Sequence, residues 1–230
     1  MIEQFLDGAR VDDAVFTLRP DYRALLIAAE GIVPGPTDAM SEALLTHAEA
    51  AAGEALADLP VDQLPHIAAW REAYRAFGAK PQRTRNSAEA LIRRAASGLP
   101  RINRLTDTYN AISVRYQVPI GGEDLSRYRS SPRLLRATGE EPFETVASGE
   151  SVIEHPDAGE VVWADDAGVT CRRWNWRQSP RTALTDETTS ALFILDALEP
   201  LTDDALQAAA DDLITALTPR AVAQRWLRAG

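Results

Sequence analysis

The chain has 230 residues, 45% hydrophobic and 25% charged, a net charge of −10 and a single cysteine, Cys171. These proportions suit a globular protein; they exclude an internal disulfide and, with only three scattered histidines (His47, His66, His155), make a zinc centre improbable, so no metal or cofactor is expected. No run reaches the ~18–20 apolar residues of a membrane helix, and the N-terminus lacks a secretory signal, so the expected setting is a reducing cytoplasm without membrane contact.

The segment 14–32 reads as one or two strands around a turn at Pro20, with ALLIAAEGI apolar enough to be buried. Residues 38–57 predict a helix capped by Asp38, and about 61–77 a second one. In the second, Trp70, Tyr74 and Phe77 share one face as a core stripe. GAKPQRTRNS (78–87) is a polar turn, followed by a helix over 88–97 and another from about Thr106 to Gln117, closed by Pro119. GGED (121–124) reads as a tight turn. Short strands follow at 133–138, 142–146, 160–166 and 169–176, the last two joined through ADDAG as a hairpin. TSALFILDAL (189–198) fits strand or helix, and 202–228 reads as two short helices split at Thr218–Pro219. The expected fold is α+β, with mixed, mostly antiparallel sheets and packed helices. The whole of 1–230 is expected to form one domain: an N-terminal strand and helix layer over 1–77, a core over 78–200 and C-terminal helices over 201–230.

Charge is unevenly spread. Residues 80–136 carry 12 Lys+Arg against 4 Asp+Glu, leaving 12 against 30 elsewhere. Such a zone is either a local field that recruits anions or a set of solvated helix faces. Lys80, Arg83, Arg85, Arg93 and Arg94 are the candidate phosphate contacts. The stretch VTCRRWNWRQS (169–179) is either a packed hairpin with charged edges or a surface prepared for a phosphate-rich or planar ligand. Read as a strand, it sets Arg172, Trp174 and Trp176 on one face and Arg173, Asn175 and Arg177 on the other. The second face is assigned to the ligand and the tryptophans to the core. The arginines could instead pair with Asp165, Asp166 or Asp186, and if close to Cys171 they would lower its pKa.

Four stretches carry a resemblance: KPQRTRNSAEALIRRA (80–95), LPRINRLTDTYNAISVRYQVPIGGEDL (99–125), GEVVWADDAGVTCRRWNWRQS (159–179) and TDETTSALFILDALEP (185–200). Over about 78–200 they resemble the B-three/B-four domain of the phenylalanyl-tRNA synthetase beta subunit, in a freestanding form. In the synthetase that module hydrolyses the ester of tyrosine misattached to the phenylalanine tRNA, and freestanding copies resemble editing factors acting in trans. The shared features are Asp107, Asn110 and Pro119, the ADD run at 164–166 and an acidic-Thr-Thr run at 186–189. Gly121 stands where the synthetase pattern has a histidine, residues 172–177 where it has a glycine-rich run, and Ile194 near a pocket glutamate. Tyrosine recognition therefore does not carry over.

The resemblance implies a deacylase or binder of aminoacylated tRNA, without aminoacylation, ATP use or DNA binding. The catalytic candidates are Asn110, Gly121, Gly122 and Asn175: amides that donate to a carbonyl, and backbone that a ligand can approach closely. The substrate or RNA contacts are Lys80, Arg83, Arg85, Arg93, Arg94, Arg172, Arg173, Trp174 and Arg177. A non-catalytic RNA-binding module, and a protein acting on a free amino acid or small carboxylate through the arginine forks, remain alternatives. The oligomeric state is left open.

Overall fold

A computed structural model describes residues 2–230. The apolar strand β2 (Arg23–Glu30) pairs antiparallel along both edges, and packed layers on either side of its sheet place both of its faces in the core. The elements before and after it are, in chain order, α1 (Ile2–Asp7), β1 (Arg10–Val11), α2 (Asp13–Leu18), β2, α3 (Ala39–Asp58), α4 (Pro65–Ala76), α5 (Ser87–Ala95), α6 (Arg104–Tyr116), β3 (Ile120–Asp124), β4 (Arg133–Arg136), β5 (Phe143–Ala147), β6 (Glu150–Glu154), β7 (Val161–Asp165), β8 (Gly168–Arg172), β9 (Arg177–Gln178), β10 (Ser190–Ala197), α7 (Asp203–Leu217) and β11 (Ala221–Arg228). The fold is α+β with mixed, mostly antiparallel sheets: β11-β2-β10-β3, β1-β4-β7-β8-β9 and the hairpin β5-β6. Among the described residues only the β1–β4 pairing is parallel. Among the described residues no helix is long and apolar enough to cross a membrane.

The helix ends follow local chemistry. Asp38 accepts from the N–H groups of Met40 and Ser41 and forms a capping box with Ser41. Asn86, Asn103 and Thr202 cap α5, α6 and α7. Gln117 and Thr218 end α6 and α7 in left-handed conformation, each two or one residues ahead of a proline. His66 on α4 joins three elements. Its Nδ1–H donates to the Gln117 carbonyl at 2.9 Å, and Nε2 accepts from Trp70 Nε1 and the Leu198 N–H, both at 3.1 Å.

One face of the four-stranded sheet packs on α6 and α7 through Leu25, Ile27, Phe193 and Leu213. The other face packs against the five-stranded sheet through Leu26, Leu192, Ile194, Trp163 and Trp174. The helices α3, α4, α5 and α6 close a third apolar cluster around Leu45, Ile67, Ile92 and Val114. β2 and β10 are apolar along their length because both faces are covered.

Several expectations need correction. Residues 13–18 form α2 rather than a strand; only Val15 is fully buried there, so no alternating apolar face exists to be paired. Residues 221–228 form β11, because Pro219 halts α7 and the chain then pairs along the free edge of β2. GGED lies in strand β3, not a turn, with Gly121 opposite Ile194 and Gly122 opposite Phe193. The ambiguous 189–198 segment is strand β10, flanked by β2 and β3. Residues 173–176 leave β8 as a turn rather than continuing it.

Gly122 permits the close approach of α6 to β3. A Cβ there would lie 2.7 Å from Tyr109 Cε1 and 2.9 Å from Leu184 Cδ1. Gly122→Ala is expected to cost about 1–3 kcal/mol through overpacking, read as a lower urea midpoint at unchanged m-value.

Candidate functional site

Side chains alternate along paired strands, so Ile194 and Asp196 on β10 share a face with Gly121 and Glu123 on β3. That face looks toward the five-stranded sheet. Ile194 and Gly121 are directly opposite, and antiparallel pairing carries Asp196 and Glu123 away from them in opposite directions. Gly121 contributes no side chain to this row. A cavity of about 240 Å³ lies there, with Asp196 and Glu123 in its lining, Trp163 and Trp174 from the facing sheet, and Asn110 and Asn175 among its polar groups.

The 172–177 run builds one wall in an unexpected way. β8 stops at Arg172, and Arg173 and Trp174 adopt left-handed backbone, with φ of 48° and 67°. Each such residue costs roughly 1–2 kcal/mol. The offset is burial. The Trp174 ring is fully enclosed, 5.0 Å from Tyr22 and 5.2 Å from Trp70. The turn presents Asn175 to three elements. Its Oδ1 accepts from Tyr74 Oη at 2.9 Å, its Nδ2 donates to Asp196 Oδ2 at 3.1 Å, and its carbonyl accepts from the Ser87 N–H at 3.0 Å.

The arginine wall expected on the ligand side is turned elsewhere. Arg172 forks onto Glu160 at 2.9 and 2.8 Å and reaches Glu154 at 3.1 Å. Arg173 also meets Glu160, at 3.3 Å, and stacks on Trp176. Arg177 meets Thr145 and Glu154. None of the three lines the cavity. Buried Glu160 explains this, since an enclosed carboxylate demands paired donors. Asp165 and Asp166 are not their partners: they hold Arg181 and Arg133. Arg172 is itself buried and unavailable to phosphate. Cys171 also departs from expectation: burial first, then the nearby Glu123 and Asp196 charges, push its thiol pKa well up.

The other candidates fall into three places. Asn110 and Gly121 line the cavity with Asn175 and Trp174. Gly122 does not; it faces Tyr109, and its carbonyl accepts from Gln178 Nε2 at 3.1 Å. The basic residues lie along α5 and the turn before it. Arg85 and Arg93, with Arg71, surround buried Glu89 at 3.8, 3.0 and 2.7 Å. Lys80, Arg83 and Arg94 are exposed and meet no carboxylate among the described residues. Ser87, Ala90 and Leu91 line the cavity, and Arg94 extends their stripe by one helical turn. Asp107 of the shared motif stays outside the cavity, accepting from Thr37 Oγ1 at 2.6 Å and the Ile102 N–H at 2.8 Å.

The B3/4 domain family profile matches residues 69–217. The chain belongs to the B3/4 domain family. No curated protein matches it. Among solved structures it is similar to an N-terminal fragment of the phenylalanyl-tRNA synthetase beta-subunit from Pyrococcus horikoshii, at 14% identity and a TM-score of 0.46. The similarity covers 94% of this chain and 50% of that one, so the chain spans half the length of the fragment.

Two lining carboxyls in this B3/4 domain were not singled out from sequence. Asp196 is the lone acid inside the apolar run ALFILDAL, and Glu123 follows the glycine pair; an acid embedded in a buried strand was the available signal. Glu123 accepts from Tyr128 Oη at 2.6 Å through Oε2, while Oε1 has no partner among the described residues. Burial raises its pKa, against hydrogen bonds led by Tyr128. Asp196 accepts from Tyr22 Oη at 2.6 Å and from Asn175, yet burial pushes its pKa up to about 7.

The unfolded chain releases the Asp196 proton near pH ~4. Between about pH 4 and 7 the folded protein thus holds a proton the unfolded chain lacks, and this group's contribution to stability falls as pH rises through that window. His66, lowered to about 4 by burial, acts in the opposite sense but is common to wild type and variant. Asp196→Asn is therefore expected to gain stability relative to wild type between pH 5 and pH 8, measured as the difference in urea midpoints.

Proposed function

We propose that the protein binds aminoacylated tRNA, seats the aminoacyl group in the cavity between the two sheets and hydrolyses the ester in trans. The observation that carries the reading is the cavity itself: in a B3/4 domain, it gathers Asn110, Gly121 and Asn175 beside a helix whose last turn carries Arg94, exposed and without a carboxylate partner among the described residues. At about 240 Å³ it is below the usual ligand-pocket range of roughly 300–1,000 Å³, which suits one amino acid rather than a nucleotide. Lys80, Arg83 and Arg94 would contact the tRNA backbone.

The reaction is simple in its balance. Water adds to the ester carbonyl, the bond to the ribose oxygen breaks, and the products are a free amino acid and a tRNA hydroxyl. Asn110 is free to donate to the carbonyl oxygen as it gains charge, and the bare backbone at Gly121 allows close approach. Asn175, held from both sides by Tyr74 and Asp196, acts as a rigid positioning group. An Asp196 carboxyl titrating near neutrality is matched to accepting a proton from the attacking water.

Deacylation of a panel of mischarged tRNAs tests hydrolysis; turnover of none, with no tRNA binding at low salt, would overturn the proposal. Asn110→Ala is expected to lower kcat by about 10²–10³, the loss typical of one oxyanion donor, with KM little changed. The double variant Arg83→Glu/Arg94→Glu is expected to weaken tRNA binding and to lower the slope of log K against log salt by about two, one per lost phosphate contact, in filter binding.

A further inference from the structure

The ionisable groups around the cavity are lopsided. Two carboxyls line it, Glu123 at one end and Asp196 at the other, and among the described residues no Lys, Arg or His does. Both are buried, at 1% exposure each. Glu123 Oε1 is without a hydrogen-bond partner among the described residues, an acceptor left open in a place where an unmade bond is costly. The hydroxyls of Thr170 and Thr182 and the amide of Gln178 stand beside Glu123 and lower its pKa, but as neutral donors they bring it no counter-charge. The arginines of the 172–177 run do not balance this charge. Arg172 and Arg173 are committed to Glu160, and Arg177 to Glu154.

We infer that the cavity selects a protonated amine whose own carboxylate is masked, as in an aminoacyl ester, over the free amino acid or an N-acylated ester. This rests on the aminoacyl reading above and names the substrate feature read there. A free amino acid is a zwitterion and would bring an unpaired carboxylate into a space already lined by two acids. An aminoacyl ester is a cation and supplies the missing charge. An N-acyl ester fills similar space but leaves the carboxyls unmatched. The apolar walls of Trp163, Trp174 and Ile194 strengthen the discrimination, because charges there are poorly screened. The raised pKa values of both carboxyls agree with a site short of positive charge.

Calorimetry on the full chain, using methyl esters of the twenty amino acids, the free amino acids and the N-acetyl methyl esters, tests this without tRNA. The expected result is that at least one ester binds ten-fold or more tighter than its free acid and its N-acetyl form. Glu123→Gln should reduce that preference at least ten-fold while the melting transition stays cooperative. Asp196→Asn provides a second variant with the same expectation if Glu123→Gln does not fold. Binding of no ester, equal binding of the N-acetyl forms, or an unchanged preference in a folded variant would overturn the inference. A parallel arm compares aminoacyl-tRNA with N-acetyl-aminoacyl-tRNA. Equal deacylation of both sinks amine selection and leaves editing standing, whereas ester binding without tRNA binding or turnover sinks editing and leaves amine selection standing.

Discussion

The amide of Asn175 is the joint on which the arrangement depends. It accepts from Tyr74 of α4 and donates to Asp196 of β10, while its carbonyl receives the first N–H of α5. A helical layer, the four-stranded sheet and the turn of the five-stranded sheet meet at one side chain. Each bond contributes only ~0.5–1.5 kcal/mol net, but loss of the amide would leave a buried carboxyl and a buried phenol short of a partner, which costs more. The left-handed backbone at Arg173 and Trp174 follows from this demand. An extended strand could not turn Asn175 inward while also sinking Trp174 among Tyr22, Trp70 and Phe77.

The cavity is a consequence of how that joint meets the edge of the sheet. Where a row of inward side chains should continue from Ile194 across to β3, Gly121 offers none. The adjacent glycine serves the opposite face, where Tyr109 needs the room. Two neighbouring glycines that look alike in sequence therefore have different physical duties. One lines the hollow between the sheets and the other lets a helix pack. The arginines of the same region are likewise structural in the main, because Glu160 and Glu154 would otherwise be enclosed or half-enclosed without counter-charge.

Much of the helical framework was legible in local sequence. Asp38, Asn86 and the proline after α6 mark boundaries through backbone chemistry that needs no distant partner. The strands at the margins were less legible. Residues 221–228 took a strand because the free edge of β2 lay open to pair with, and residues 13–18 lost theirs because no partner was offered. Of the site, Asn110, Gly121 and Asn175 were marked out by residue type and by the family resemblance. Glu123 and Asp196 were missed because an acid in an apolar run looks the same whether it caps a strand end or lines a hollow.

By itself the sequence determined the family, the α+β class and the helix ends, since these rest on residue chemistry and spacing along the chain. Only the tertiary structure decided which way the 172–177 stretch turns. A carboxylate twelve residues before Arg172, Glu160, captures Arg172 and Arg173, and the Tyr74 and Asp196 side chains capture the asparagine. The stretch is thus a packed turn with one polar group delivered to a cavity, because buried charges and amides must be paired and the partners are brought there by folding.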